Sequence, residues 1–237
     1  MEQYRELRKH RLYSVWNQVP VAYYQKGVKN NFFQNLWHKS KIDLAKKILN
    51  TVKFENCLDV GCASGYMISE IAKSFLRAEY IGIDIYDQAI EYAKKTYPNI
   101  KFKVASAEKL PFKDNSFDLI LFYETIEHVE NPKDCLKEIK RVLKKNGTLI
   151  LTMDSGSLLF RLVWFIWENS KGKIWKGAHL HPFNHKELEA LIKDSGFKIK
   201  DKIFSFLGME ITFILSKNKL ARRDTPQFYC GVVYFNK

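Results

Sequence analysis

The sequence predicts an α/β fold: a doubly wound, mostly parallel seven-stranded sheet with one antiparallel strand near the C-terminus and helices on both faces. Three observations carry this expectation. Between Cys57 and Met153, short β-branched or apolar runs alternate with charged helical stretches, the pattern of strand and helix units that build a parallel sheet. The first of these runs stops in a turn of small residues and restarts at once as a helix. The 237 residues, 46% of them hydrophobic, can bury one good core and are few for two.

The elements follow in chain order. Residues 1–54 read as an N-terminal helical cap, because Phe33, Leu36, Trp37, Ile42, Leu44, Ala45, Ile48 and Leu49 recur at roughly helical spacing between Asn31 and Val52. Residues 55–154 form the core, with strands CLDV, YIGID, IKFKV, FDLILF and GTLILTM and helices YMISEIAKSF, DQAIEYAKKTY and PKDCLKEIKRVLKK. The last of these helices has Pro132 in its first turn and is expected to stop at Asn146-Gly147. Residues 155–184 are an aromatic insertion or lid. Residues 185–237 add the helix HKELEALIKDSGF, closed by Gly196, and two last strands, FKIKDKIFSF and FYCGVVYF. No repeat, low-complexity linker or boundary divides the chain, so 1–237 is one domain.

The formal charge of +13 is unevenly spread. Residues 1–55 hold 11 basic and 4 acidic side chains, 56–153 hold 14 of each, and 154–237 hold 14 and 8. The basic flanks suit an anionic partner or a solvated lysine-rich face. Cys57, Cys62, Cys135 and Cys230 lack the paired spacing of a zinc site and read as free thiols of a reducing cytoplasm. The opening MEQYRELRKHRLY has no apolar stretch and predicts neither a signal peptide nor a transit sequence.

The strongest local signal is Leu58-Asp59-Val60-Gly61-Cys62-Ala63-Ser64-Gly65, a strand ending in a small-residue turn where a ligand can reach backbone amides. A dinucleotide fingerprint would need glycine where Ala63 and Tyr66 stand. Asp84 ends the next strand, where a carboxylate can accept two ribose hydroxyl bonds or serve only as a helix cap.

DVGCASG, GIDIYDQAIEYAKK, SAEKLPFKDNSFDLI and EIKRVLKKNGTLILT, in this order and spacing, resemble the class I S-adenosylmethionine-dependent methyltransferases. The resemblance covers roughly 55–155 well and 179–200 loosely, and LPF…FD…EHV…RVLKKNG is similar to the ubiquinone and menaquinone biosynthesis-like group. It implies S-adenosyl-L-methionine as cofactor and a small-molecule acceptor. Asp59, Gly61, Ala63 and Gly65 would shape the methionine end, Asp84 would hold the ribose and Ile85 would lie on adenine. Ser106-Ala107-Glu108 falls where the family often has Asp-Ala-Glu, so an uncharged hydroxyl stands at the adenine amino position. Ala63 replaces the more usual glycine, which is tolerable at negative φ and costly otherwise. Tyr123 and Glu124 would face the amino acid moiety or the acceptor.

Methyl transfer from a sulfonium needs alignment and exclusion of water more than a universal catalytic residue, although an oxygen nucleophile gains from a base. Glu124-Thr125-Ile126-Glu127-His128 offers two carboxylates and an imidazole that helical spacing would cluster, with His179 or His181 completing the group. The pattern resembles metal-assisted O-methyltransferases of the ubiquinone pathway and of small RNAs. It is also widespread in relatives that use no metal and whose histidine lines the acceptor pocket. The metal-free reading is preferred, with Glu124, Glu127 and His128 as the alternative ligand set and His128, His179, His181 and Glu124 as candidate catalytic groups.

Tyr23 and Tyr24 in the cap, and Trp164 in the apolar run from Ser157 to Trp167, are the candidate acceptor walls. That run is too short to span a bilayer, and its tryptophans and cationic border suit an interfacial segment, a lid or a buried helix. The sequence thus predicts a cytoplasmic methyltransferase acting on an apolar or lipid-like acceptor by O- or C-methylation, with peripheral membrane contact as an added expectation. RNA methylation is a weaker alternative, since no RNA-binding module or aromatic RNA motif is present. A non-catalytic cofactor-binding protein is another. Oligomeric state is not legible.

Overall fold

A computed structural model describes residues 12–170 and 172–217. Seven strands form one sheet: β1 (Asn56–Val60), β2 (Glu79–Asp84), β3 (Lys101–Val104), β4 (Phe117–Tyr123), β5 (Leu143–Asp154), β6 (Lys198–Ser205) and β7 (Glu210–Ser216). Their order is β3-β2-β1-β4-β5-β7-β6. β7 runs antiparallel to both β5 and β6, and the pairs among β1 to β5 are parallel, so one reversed strand sits near the C-terminus as expected.

Among the described residues, eight α-helices surround the sheet: α1 (Tyr13–Trp16), α2 (Tyr23–Asn30), α3 (Phe32–Leu49), α4 (Tyr66–Ala72), α5 (Asp87–Thr96), α6 (Pro132–Val142), α7 (Leu158–Glu168) and α8 (His185–Asp194). Two apolar layers hold them. One packs β-strand side chains such as Leu58, Ile120 and Leu149 with Leu136 and Ile139 of α6 and Leu188 and Ile192 of α8. The other packs Leu119, Leu121 and Ile150 with Ala45, Ile48 and Leu49 of α3 and Ile68 and Ile71 of α4. A parallel sheet must be covered on both faces, which is why its strands read as nearly continuous apolar runs.

The helix ends follow local chemistry. Asn31 caps α3 by accepting from the amides of Phe33 and Gln34. Asn184 and Glu187 form a capping box on α8, which begins at His185 and is followed by Gly196 at φ +74°.

Two boundaries differ from expectation. α6 ends at Val142, four residues before Asn146, because Asn115 and Ser116 donate to the carbonyls of Arg141 and Val142 and Leu143 pairs with Phe117. These bonds satisfy the last carbonyls of the helix and pull the chain into β5. The seventh strand of the described sheet is Glu210–Ser216, buried along its whole length, and the expected strand FYCGVVYF lies outside the described residues. The run FKIKDKIFSF conceals the turn between them: it ends at Phe206, and the chain reverses through Phe206–Gly208 at positive φ.

Candidate active site

At the carboxyl edge of β1 the chain turns through Gly61 at φ +76°, Ala63 at +46° and Gly65 at +78°. The turn is built against β2: the amides of Gly61 and Cys62 both donate to the Ile83 carbonyl, at 2.8 and 2.9 Å. A side chain at Gly61 would meet Thr125 Oγ1 at 2.2 Å, and one at Gly65 would meet the Phe102 ring at 2.7 Å. Both positions therefore require glycine. Ala63 adopts the costly left-handed conformation, a penalty of about 1–2 kcal/mol. Its amide donates to Asp84 Oδ2 at 2.8 Å, while Asp84 Oδ1 accepts from the Tyr86 amide at 2.8 Å. The acid thus clamps the turn as well as facing the hollow beside it. Burial raises the Asp84 pKa against the pull of the Tyr86, Ala63 and Ile85 amides.

The hollow is a cavity lined by Gly61, Ala63, Ser64, Asp84 and Ile85, and by Ala105, Ser106, Ala107 and Glu108. The small-residue turn and the acid lie on the same edge, one strand apart. The Ser106 hydroxyl accepts from the Glu108 amide at 3.1 Å, and Glu108 Oε1 accepts from the Asn131 amide at 2.8 Å, so both polar groups of this segment also brace its own backbone. Asp59 lies beneath the turn with Oδ2 buried and unpartnered. Burial, and then the charge of Asp84, pushes its pKa up to about 8. The Tyr123 side chain packs with the α3 and α4 layer and does not line the cavity.

The opposite wall comes from the N-terminal cap. Tyr23 and Tyr24 stand edge to face at 5.6 Å, Tyr23 meets Trp175 at 5.7 Å, and all three line the cavity. Gln25 straps α2 to the turn, donating to the Ser64 carbonyl at 3.2 Å and accepting from its hydroxyl at 3.1 Å. Trp16, Val19, Pro20 and Trp175 complete the wall. These four were not anticipated, because short apolar segments carry no periodicity that points to a pocket.

Glu124 to Glu130 form a turn and not a helix, so the two glutamates part. Glu124, at φ +44°, lines the cavity and is bonded to Lys41, which sits 2.9 Å from Glu210. Lys41 is 5% exposed and Glu210 is 0% exposed. Burial alone would lower the Lys41 pKa, but the two carboxylates hold it above the usual lysine value. Burial pushes Glu210 up to about 7. Sequence reading missed both residues. A signal existed for Lys41, which occupies the apolar stripe Trp37, Lys41, Ala45, Ile48 of α3.

Glu127 points elsewhere. It is 2% exposed with Oε2 unpartnered, and burial followed by the nearby Asp154 raises its pKa well above the usual carboxylate range. His128 lines the cavity, and its Nδ1 lies 2.8 Å from the Ala178 carbonyl. A carbonyl can only accept, so Nδ1 carries the proton and the neutral ring has its basic lone pair on Nε2. The His179 ring lies 5.1 Å from that of His128 and stacks on Trp164 at 4.7 Å. Burial, then His128, lowers the His179 pKa to about 4.

Ligand atoms of Glu127, His128 and His179 lie within 4.8 Å of one another. The alternative set Glu124, Glu127 and His128 is therefore redrawn: Glu124 is drawn off by Lys41 and His179 takes its place. His181 stands apart, with Nε2 3.3 Å from the Glu130 carbonyl and its ring stacked on Phe183.

Burial of Asp59 has a measurable consequence. Its folded pKa of about 8 lies above the unfolded value, so its contribution to stability is full below about pH 4 and is lost as pH rises through 8. Thermal unfolding of the ligand-free protein is expected to show a lower Tm at pH 8.5 than at pH 6. Asp59→Asn should flatten that slope.

A strand, a glycine turn, a clamped acid and a capped hollow at the carboxyl edge of a parallel sheet define a Rossmann-like cofactor-binding enzyme. Residues 58–151 match the model of a methyltransferase domain family. The chain is 33% identical over 162 residues to the uncharacterized protein MJ1123 of Methanocaldococcus jannaschii, covering 68% of this chain and 72% of that protein. It is 33% identical over 140 residues to a ubiquinone biosynthesis O-methyltransferase of Pelagibacter ubique, covering 57% of this chain and about half, 52%, of that enzyme. The PH0226 protein of Pyrococcus horikoshii has the same fold, with a TM-score of 0.65 at 22% identity, covering 79% of this chain and 92% of that one. The chain belongs to the class I S-adenosylmethionine-dependent methyltransferases, and S-adenosylmethionine is the cofactor its family and fold imply.

Proposed function

We propose that this enzyme methylates an oxygen or carbon of a small, apolar or lipid-like acceptor. The observation that carries the reading is the cavity, whose lining combines the turn and Asp84 with the aromatic side chains of Tyr23, Tyr24 and Trp175 and with His128. Bound at the turn, the sulfonium supplies an electrophilic methyl carbon. The aromatic wall orients an apolar acceptor and keeps water out. For a hydroxyl acceptor, His128 Nε2 would take the acceptor's proton, while bound S-adenosylmethionine would supply the methyl group and leave as the neutral thioether. His179, neutral and stacked on Trp164, holds the shape of this corner. Similarity to the ubiquinone-pathway enzyme supports a quinone precursor among the candidate acceptors.

The test is uptake of labelled methyl from the cofactor across demethylated quinone precursors, phenolic lipids and RNA, with and without chelator. Incorporation into an apolar small molecule, indifferent to chelator, is expected. Incorporation into RNA alone would replace this reading with RNA methylation. For an oxygen acceptor, His128→Gln should lower kcat about 100-fold while leaving cofactor affinity within twofold.

The grouping of Glu127, His128 and His179 around an unpartnered buried carboxylate oxygen favours a second reading, in which these residues hold a divalent cation that lowers the acceptor's pKa. Chelator would then abolish turnover. Calorimetry would detect Mg²⁺ or Zn²⁺ binding that Glu127→Gln removes.

A further inference from the structure

The helix inserted after β5 turns its apolar side outward. At about 100° per residue, the side chains of α7 divide cleanly. Phe160, Trp164 and Trp167 lie together on the inner side: Phe160 is buried, and Trp164 stacks on both Phe160 and His179. The tryptophans that make the segment look interfacial in sequence therefore hold the helix to the protein. The other side is an arc of roughly 160° carrying Leu158, Leu159, Leu162, Val163, Phe165 and Ile166 with no charged residue within it. Leu158 is 85% exposed, Phe165 66% and Ile166 59%. Among the described residues no helix is long and apolar enough to cross a membrane.

Further exposed apolar side chains stand on segments tied to the start of this helix. Ser155, two residues before the cap of α7, donates through its hydroxyl to the Gly208 carbonyl at 2.6 Å and through its amide to Met209 at 2.8 Å. That turn presents Leu207, 78% exposed and held at φ +59°, a conformation leucine adopts only under constraint. Its neighbour Phe206 packs on Trp37 of α3 at 4.6 Å, and the first turn of α3 exposes Phe32 and Phe33 by 76% and 75%. Charge points to the partner. From residue 12 to 42 there is no acidic side chain, and from 155 to 186 there is one, Glu168. Lys26, Lys29, Arg161, Lys173 and Lys176 are all exposed on these segments. Exposed apolar side chains on segments that carry exposed cations and almost no acids complement an anionic lipid surface, where headgroups meet the lysines and the apolar side chains enter the acyl boundary.

We infer that α7, together with the Leu207 turn and the Phe32-Phe33 corner, docks the enzyme onto an anionic bilayer surface. Trp164 of the same helix stacks on His179, whose ring lies 5.1 Å from that of the cavity-lining His128, so docking would bring that corner to the membrane from which an apolar acceptor arrives. The docking rests on the exposed surface and not on the acceptor proposed above.

The experiment is cosedimentation of the whole chain with vesicles of phosphatidylcholine containing about one third phosphatidylglycerol, and with pure phosphatidylcholine. The wild type is compared with Leu162→Glu/Phe165→Glu, whose replaced side chains are exposed. Wild type should pellet with the anionic vesicles, less at high salt and less with the neutral ones. The double variant should lose at least tenfold in vesicle affinity while binding S-adenosylmethionine like the wild type. Wild type remaining in the supernatant, or a variant that pellets equally, overturns the inference. A wild-type dimer that the variant converts to monomer, with no vesicle binding, would assign the surface to a second copy of the chain and overturn it too. Cofactor affinity and methyl uptake are read separately, so failure of docking and failure of the catalytic reading are distinguishable.

Discussion

Asp84→Ala is expected to weaken S-adenosylmethionine binding by about 100-fold or more. If Asp84 holds the ribose, as the family resemblance implies, the variant loses two charge-assisted bonds, each worth about 1.5–3 kcal/mol, and every 1.4 kcal/mol is tenfold in affinity. The carboxylate also anchors the turn, because its Oδ2 accepts from the amide of Ala63, a non-glycine residue at φ +46°. Without that bond the turn has less reason to keep a conformation that alanine disfavours, so part of the loss is preorganisation. Asp84→Asn separates the two effects. Its amide keeps one acceptor oxygen but presents a donor to either Ala63 or Tyr86, both of which also donate, so a loss nearly as large is expected. Titration calorimetry measures both variants. Affinity within twofold of wild type in Asp84→Ala would overturn the ribose placement and the orientation of cofactor derived from it.

The second large effect is on stability. Lys41→Met removes the cation between Glu124 and Glu210 and leaves Glu210, 0% exposed, without its counter-charge. Breaking a buried pair from one side costs about 3–5 kcal/mol, far more than the intact pair contributes over an apolar replacement. The cost should depend on pH in a defined sense. Glu210 already has its folded pKa pushed up to about 7, so below pH 6 it is largely protonated with or without Lys41, and the penalty shrinks. Chemical denaturation of Lys41→Met is expected to show the full loss at pH 8 and a smaller one at pH 5.5. Lys41→Met/Glu210→Gln should recover part of the stability at pH 8, because the fully buried charge is gone and only the partly exposed Glu124 is left without its partner. Equal losses at both pH values would show that the lysine does not act through the charge of Glu210. Because Glu124 lines the cavity, the single variant should also weaken cofactor or acceptor binding.

The core strands, the small-residue turn and the acid one strand over were legible because they are local. β-branched runs, a glycine cluster and a strand-terminal aspartate each report their own backbone, and parallel pairing in order puts the turn and the acid on one edge. The limits of α6 and the place of β7 were not, because the amides of Asn115 and Ser116 and a turn at Phe206–Gly208 decide them. E-x-x-E-H was visible as chemistry but not as geometry. Lys41, arriving from a helix 83 residues away, pulls Glu124 from the group, and His179 joins Glu127 and His128 across a gap of 50 residues and more.

By itself, then, the sequence determined the α/β architecture, the family and the placing of the small-residue turn and Asp84 on one edge of the sheet, since these rest on periodicity and short motifs whose residues bond to near neighbours. The tertiary structure alone decided which ionisable groups meet, which aromatics wall the cavity and which side of α7 faces outward. Those outcomes are set by burial and by contacts between distant segments: a tryptophan reads the same in a sequence whether it meets lipid or stacks on a histidine, and only packing chooses.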